Sequence, residues 1–154
     1  MTRLAVFLAT AGYTGYFPVA PGTVGSAVGL AVYFFVWRVQ SVAFEIALIL
    51  VLFAVGVWAG TIAERYFGGI DPGPIVLDEV VGMLITLALV PVGLTGALAG
   101  FFLFRVFDVI KPFPAARFEK LHGGLGVMAD DAMAAIYANI VLRIAIAVSG
   151  GWIA

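Results

Sequence analysis

Two pairs of adjacent carboxylates, Asp78-Glu79 and Asp130-Asp131, and a fifth acid, Asp108, stand at the edges of long apolar runs in this sequence. Acids crowded beside an apolar medium repel one another and lose hydration, so they persist as anions where a cation neutralises them. Donors that are all oxygen favour a hard ion, and Mg²⁺ takes one or two carboxylates, keeps waters and accepts phosphate oxygens. Of the nine acids only Glu45 lies outside two polar segments; one holds Glu64, Asp71, Asp78 and Glu79, the other Asp108, Glu119, Asp130 and Asp131. Helix capping is the plain alternative for each pair, because Asp before an apolar run is an ordinary start signal. One acid suffices for a cap, and a second adds repulsion unless something binds it.

Cations and glycines accompany the acids. Asp108 and Lys111 stand three apart, a spacing that puts acid and base on one helical face just before Pro112. An exposed ion pair would explain them; the functional reading gives Asp108 to a metal and Lys111 to a phosphate. Pro21-Gly22-Thr23-Val24-Gly25 and His122-Gly123-Gly124-Leu125-Gly126 read as loops whose glycines permit close backbone approach ahead of helix N-termini that favour anions. Glycine-mediated helix packing is the alternative for either. His122 fits a base, a phosphate ligand or an interfacial residue, and Arg143, inside the last apolar run, fits a paired or snorkelling side chain. The absence of cysteine excludes disulfides, thiolate metal sites and a cysteine nucleophile.

The elements that must position these residues are membrane helices. With 64% apolar and 11% charged residues, the chain has too few polar side chains to cover a water-soluble globule of 154 residues. Its net charge of -1 also argues against a nucleic-acid partner. Apolar runs at 24–37, 46–63, 80–104 and 132–154 give about four helical segments of an all-α, multi-helical integral membrane protein, a single domain over 1–154. Arg38, Gln40 and Ser41 turn the first run into the second, an antiparallel hairpin that brings Glu64-Arg65 back to the end where Pro21 sits. The third run is interrupted at Pro91-Val92-Gly93, so it is either one kinked span or a re-entrant pair of short helices. The opening residues have the outline of a short secretory signal, a reading rejected here because they run directly into the Gly/Pro-rich segment.

Taken together, Ala-Pro-Gly-Thr-Val-Gly at 20–25, Ile-Val-Leu-Asp-Glu-Val-Val-Gly at 75–82, Phe-Arg-Val-Phe-Asp-Val-Ile-Lys-Pro-Phe-Pro at 104–114 and Gly-Gly-Leu-Gly-Val-Met-Ala-Asp-Asp at 123–131 resemble the phosphatidylglycerophosphatase A family over nearly the whole chain. Leu77 and Phe113 stand where that family often has tryptophan. The resemblance implies a Mg²⁺-dependent phosphomonoesterase of the bacterial inner membrane, multi-pass, acting on a phospholipid from the cytoplasmic side. It carries the family's acidic positions onto Asp78, Glu79, Asp108, Asp130 and Asp131. For those acids to meet one metal the third run should fold back, which favours the re-entrant alternative.

On this reading Asp78, Glu79, Asp108, Asp130 and Asp131 supply metal ligands and the general base, with Asp78, Asp108, Asp130 and Asp131 as the catalytic set. Thr23, Arg105, Lys111 and His122 hold the substrate phosphate. Water attacking in line and a covalent aspartyl-phosphate are both open routes. A different class, a small membrane cation transporter or helix-bundle subunit, would also use acids to bind ions, but would place them near the middle of its apolar runs.

Overall fold

The structure, a computed structural model, describes residues 1–113, 115–118, 121 and 123–153. Among these the chain is helical: α1 (Thr2–Ala9), a 3₁₀ turn at Thr14–Tyr16, α2 (Pro21–Val39), α3 (Val42–Phe67), α4 (Leu77–Leu87), α5 (Leu94–Ile110), a single turn α6 (Ala115–Phe118) and α7 (Gly124–Val148). His122, Glu119 and Lys120 lie outside the described residues.

Helices α2, α3 and α7 are each long and apolar enough to cross a bilayer. The third apolar run is not one kinked span. It breaks over 88–93, starting earlier than Pro91, into α4 and α5. With 11 residues, α4 rises about 16 Å, half of a hydrocarbon core. The two helices run antiparallel, because the Gly82 backbone of α4 lies against the Phe104 ring of α5, while Gly100 of α5 faces Leu87 and Thr86. The run therefore folds back, and the start of α4 meets the end of α5.

Breaking a helix in an apolar setting frees backbone groups that water cannot satisfy, so side chains must. Asn139 of α7 donates to the carbonyls of Ile85, Thr86 and Ala88 at 3.2, 2.9 and 3.0 Å. Arg143, one turn on, donates to Ala88 and Leu89 at 3.0 Å each, so it serves as a paired cation at the break and stands apart from the acids. The Tyr33 hydroxyl donates to Val90 and Val92 at 3.2 and 3.3 Å, and Glu45 accepts the Leu89 N–H at 3.3 Å. The one acid outside the two polar segments thus has a structural partner at the far end.

Helix α4 is the most enclosed element, with nine of its residues buried and α2, α3, α5 and α7 all packed on it. Glycines on α2 allow that approach: a Cβ on Gly25 would fall 2.8 Å from Val76 Cβ and 2.9 Å from its carbonyl, and one on Gly29 2.8 Å from the Val80 carbonyl. The Pro21–Gly25 and Gly124–Gly126 segments are therefore first turns of helices rather than loops, and for Gly25 and Gly29 the packing alternative holds. Capping fails for both acid pairs. Helix α4 begins at Leu77 with Val76 at its N-cap, and α7 begins at Gly124, six residues before Asp130. Its N-terminal cap comes instead from α3, where the Thr61 hydroxyl accepts the Gly124 N–H at 2.9 Å while donating to the Val57 carbonyl at 2.7 Å.

Candidate active site

Helix directions alone bring the acids to one end of the bundle: the end of α3, the starts of α4 and α7 and the end of α5. Asp78 and Glu79 sit in the first turn of α4, Asp108 in the last turn of α5, and Asp130 and Asp131 in the second turn of α7. Asp78, Asp130 and Asp131 are buried. One carboxylate oxygen from each of Asp78, Glu79 and Asp131 lies within 4.8 Å of the other two. One oxygen on each of these three acids, Asp78 Oδ1, Glu79 Oε2 and Asp131 Oδ2, is buried with no hydrogen-bond partner. A buried anionic oxygen without a donor is costly, and three acids that each carry one, with carboxylates converging from two helices, fit a divalent cation with oxygen ligands.

The remaining two acids are neutralised by the protein itself. Asp130 accepts a 2.6 Å hydrogen bond from Lys111 Nζ. Asp108 Oδ2 lies 2.6 Å from Arg105 Nη1, which is also 3.9 Å from Glu79 Oε1. The close Arg105 contact runs off the N–H direction, so Nη1 remains a buried donor without a hydrogen-bond partner. The alternative of an Asp108–Lys111 ion pair along one helical face gives way to Arg105 with Asp108 and Lys111 with Asp130. The reason is local: α5 ends at Ile110, and Lys111 leaves in the left-handed conformation at φ 45°, so the helical spacing no longer applies.

Desolvation by burial, followed by repulsion from neighbouring acids, holds the Asp78 carboxyl well above the ordinary aspartate range. Burial, and after it repulsion from Asp108, raises Glu79 to about 7 against the lowering effects of the Asp78 hydrogen bond and the Arg105 charge. Both residues stand at the start of the half-length helix α4, outside the three crossing helices. The site is thus an acidic floor short of positive charge, with Arg105 and Lys111 at its partly exposed rim.

From α2 the residue against the acids is Gly22, whose missing side chain leaves the space taken by Glu79 Oε1 and the Arg105 guanidinium. The Thr23 side chain, one residue on, is exposed. Thr61 and Asn139, which hold the helices that carry the acids, went unread as functional residues. Their signal was polarity inside apolar runs, reinforced for Asn139 by Arg143 four residues later. A cavity of about 270 Å³ lined by Tyr33, Trp37, Glu45 and Pro91 lies at the opposite end, away from this chemistry.

Residues 7–146 match the family model for phosphatidylglycerophosphatase A. A Haemophilus influenzae phosphatidylglycerophosphatase A is 41% identical over 80% of this chain and 77% of its own length. The Escherichia coli phosphatidylglycerophosphatase A is 33% identical over 80% and 72%. A Bacteroides thetaiotaomicron protein, provisionally named a phosphatidylinositol-3-phosphatase, is 36% identical over 92% and 93%. No solved structure matches.

Proposed function

The chain belongs to the phosphatidylglycerophosphatase A family, and from that premise we propose that it hydrolyses phosphatidylglycerophosphate to phosphatidylglycerol and inorganic phosphate with Mg²⁺ as cofactor. It is a membrane protein and a phosphoric monoester hydrolase. The observation that carries the site assignment is the set of three donorless oxygens on Asp78, Glu79 and Asp131 beside a cationic rim. The ion-transport alternative is set aside by family membership and by the collection of the acids at helix ends beside Arg105 and Lys111.

In this reading Asp78, Glu79 and Asp131 would hold the ion, which when bound would supply positive charge against the phosphoryl oxygens and make a nearby water more acidic. The Arg105 guanidinium, held by Asp108, takes a phosphate oxygen. Lys111 takes a second oxygen. When the phosphate draws the ammonium away, Asp130 is released to accept a proton from the attacking water. Water oxygen bonds to phosphorus, the bond from phosphorus to the headgroup oxygen breaks, and that oxygen leaves as a hydroxyl protonated from solvent.

Charge distribution supports a cytoplasmic site in an inner membrane. Arg3, Arg65, Arg105, Lys111 and Arg117 stand at the site end, against Arg38 and Arg143 towards the other. The name of the Bacteroides relative favours phosphatidylinositol 3-phosphate as a second substrate, since it too is a lipid phosphomonoester. The test is phosphate release by detergent-purified protein from each lipid, with Mg²⁺ and with chelator. Mg²⁺-dependent release from phosphatidylglycerophosphate supports the proposal; faster release from the inositol lipid transfers the assignment to that headgroup. A labelled phosphoenzyme would replace direct water attack with the covalent route.

A further inference from the structure

Lys111 occupies a costly backbone conformation. Its φ of 45° and ψ of 61° are left-handed, a region that disfavours residues with a Cβ. The next residue is Pro112, whose ring pushes its predecessor towards extended backbone. Strain of this kind persists only when surrounding contacts enforce it. One enforcing contact is internal: the Lys111 N–H donates to Phe107 at 2.8 Å and ends α5.

Another comes from across the bundle. Tyr137 on α7 donates its hydroxyl to the Phe113 carbonyl at 2.9 Å, and its ring lies 5.9 Å from that of Phe107. Tyr137 therefore grips α5 one turn before Lys111 and grips the chain again two residues after it. It also stands seven residues beyond Asp130, two turns along the same face of the helix whose acid meets the Lys111 ammonium at 2.6 Å. The helix that supplies the acid thus also clamps the corner that delivers the base.

We propose that Tyr137 is a positioning residue that acts through Lys111, fixing the strained corner so that the ammonium stands at the phosphate position. This rests on the phosphatase reading, in which Lys111 holds a phosphate oxygen. Tyr137 touches no reacting atom, and its contribution is the geometry of its neighbour.

The test is Tyr137→Phe, which keeps the ring against Phe107 and removes only the hydroxyl. With phosphatidylglycerophosphate in mixed micelles, KM should rise about three- to tenfold, the range one lost hydrogen bond supports, with kcat and the thermal midpoint little changed. A cycle with Lys111→Ala separates positioning from general structure: in that background Tyr137→Phe should have no further effect. Calorimetric binding of inorganic phosphate to the same four proteins gives the same comparison where turnover is slow. Wild-type kinetics in Tyr137→Phe, or an equal fractional loss in both backgrounds, would overturn the proposal. A wild-type protein that releases no phosphate would instead overturn the underlying function.

Discussion

Gly22→Ala should separate folding from catalysis. A Cβ at position 22 would fall well inside 3.0 Å of Glu79 Oε1 and 3.1 and 3.2 Å from the Arg105 guanidinium nitrogens. What it meets are the ends of two side chains, so the backbone can stay in place and the bundle should still form. Glu79 can give way only by retreating from the acids it faces. Restoring ordinary contact requires about 1 Å, a misplacement that costs on the order of a hundredfold in rate when it falls on the reacting geometry. Gly25→Ala is the control from the same motif: its Cβ would meet Val76 Cβ at 2.8 Å and the Val76 carbonyl at 2.9 Å, which only a shift of α4 can relieve. The assay pairs thermal unfolding in detergent with phosphate release across a Mg²⁺ titration. Gly22→Ala should melt near wild type with about a hundredfold lower activity and a raised Mg²⁺ requirement, whereas Gly25→Ala should lose thermal stability first. Wild-type activity in a folded Gly22→Ala protein would refute the reasoning, since Glu79 would then not need its position.

Asp131→Asn should lower phosphate release by at least about a hundredfold while leaving α7 helical by circular dichroism, because one of three converging oxygens loses its charge. Mg²⁺ should raise the unfolding midpoint of the wild type, by about 2.7 kcal/mol of stability at a hundred times Kd, and much less in Asp131→Asn, as calorimetry would read. In chelator, stability should fall as pH rises from the ordinary glutamate value of 4.5 to about 7: Glu79 is raised in the folded state, so its favourable contribution is complete below the unfolded pKa and is lost as it ionises. A pH titration of the midpoint that rises over this window would contradict that sign. Asn139→Leu should destabilise the protein by about 2 kcal/mol or more in denaturant titration, because the carbonyls of Ile85, Thr86 and Ala88 lose a shared donor at a partly buried helix break, leaving only Ala88 with the Arg143 donor.

The gathering of the acids was legible only in part from helix direction. A tight turn at residues 38–41 returns α3 to the start of α2, whereas Pro91-Val92-Gly93 left the third run open between a kinked span and a reversal, and the need for the acids to meet one metal favoured the reversal. The exact break was hidden because Ala88 and Leu89 are good helix formers, and it is residues distant in sequence, Asn139 and Arg143 together with Tyr33 and Glu45, that make their unwinding tolerable. The start of α7 was misplaced because glycine reads as loop where water is the reference, whereas here a Cβ on Gly124 would strike the backbone of α3. Glycine packing was an open alternative for the 21–25 segment, yet nothing in the sequence distinguishes Gly22, which makes room for a carboxylate, from Gly25, which makes room for a helix. Ion-pair partners depend on where α5 stops, so the Asp108 and Lys111 spacing did not reveal the pairs Arg105 with Asp108 and Lys111 with Asp130.

The cap that Thr61 lends to α7 has a bearing on how the protein is made. Helix α3 leaves the ribosome well before α7, so the acceptor that begins the last long helix is already in place when Gly124 arrives. Until then Asp78 and Glu79 face each other without Asp131, and the three-acid cluster does not exist. A nascent chain that has inserted α2 to α5 is thus a membrane protein without a centre. Helix α7, which carries Asp131, is the element that completes the cluster begun by Asp78 and Glu79.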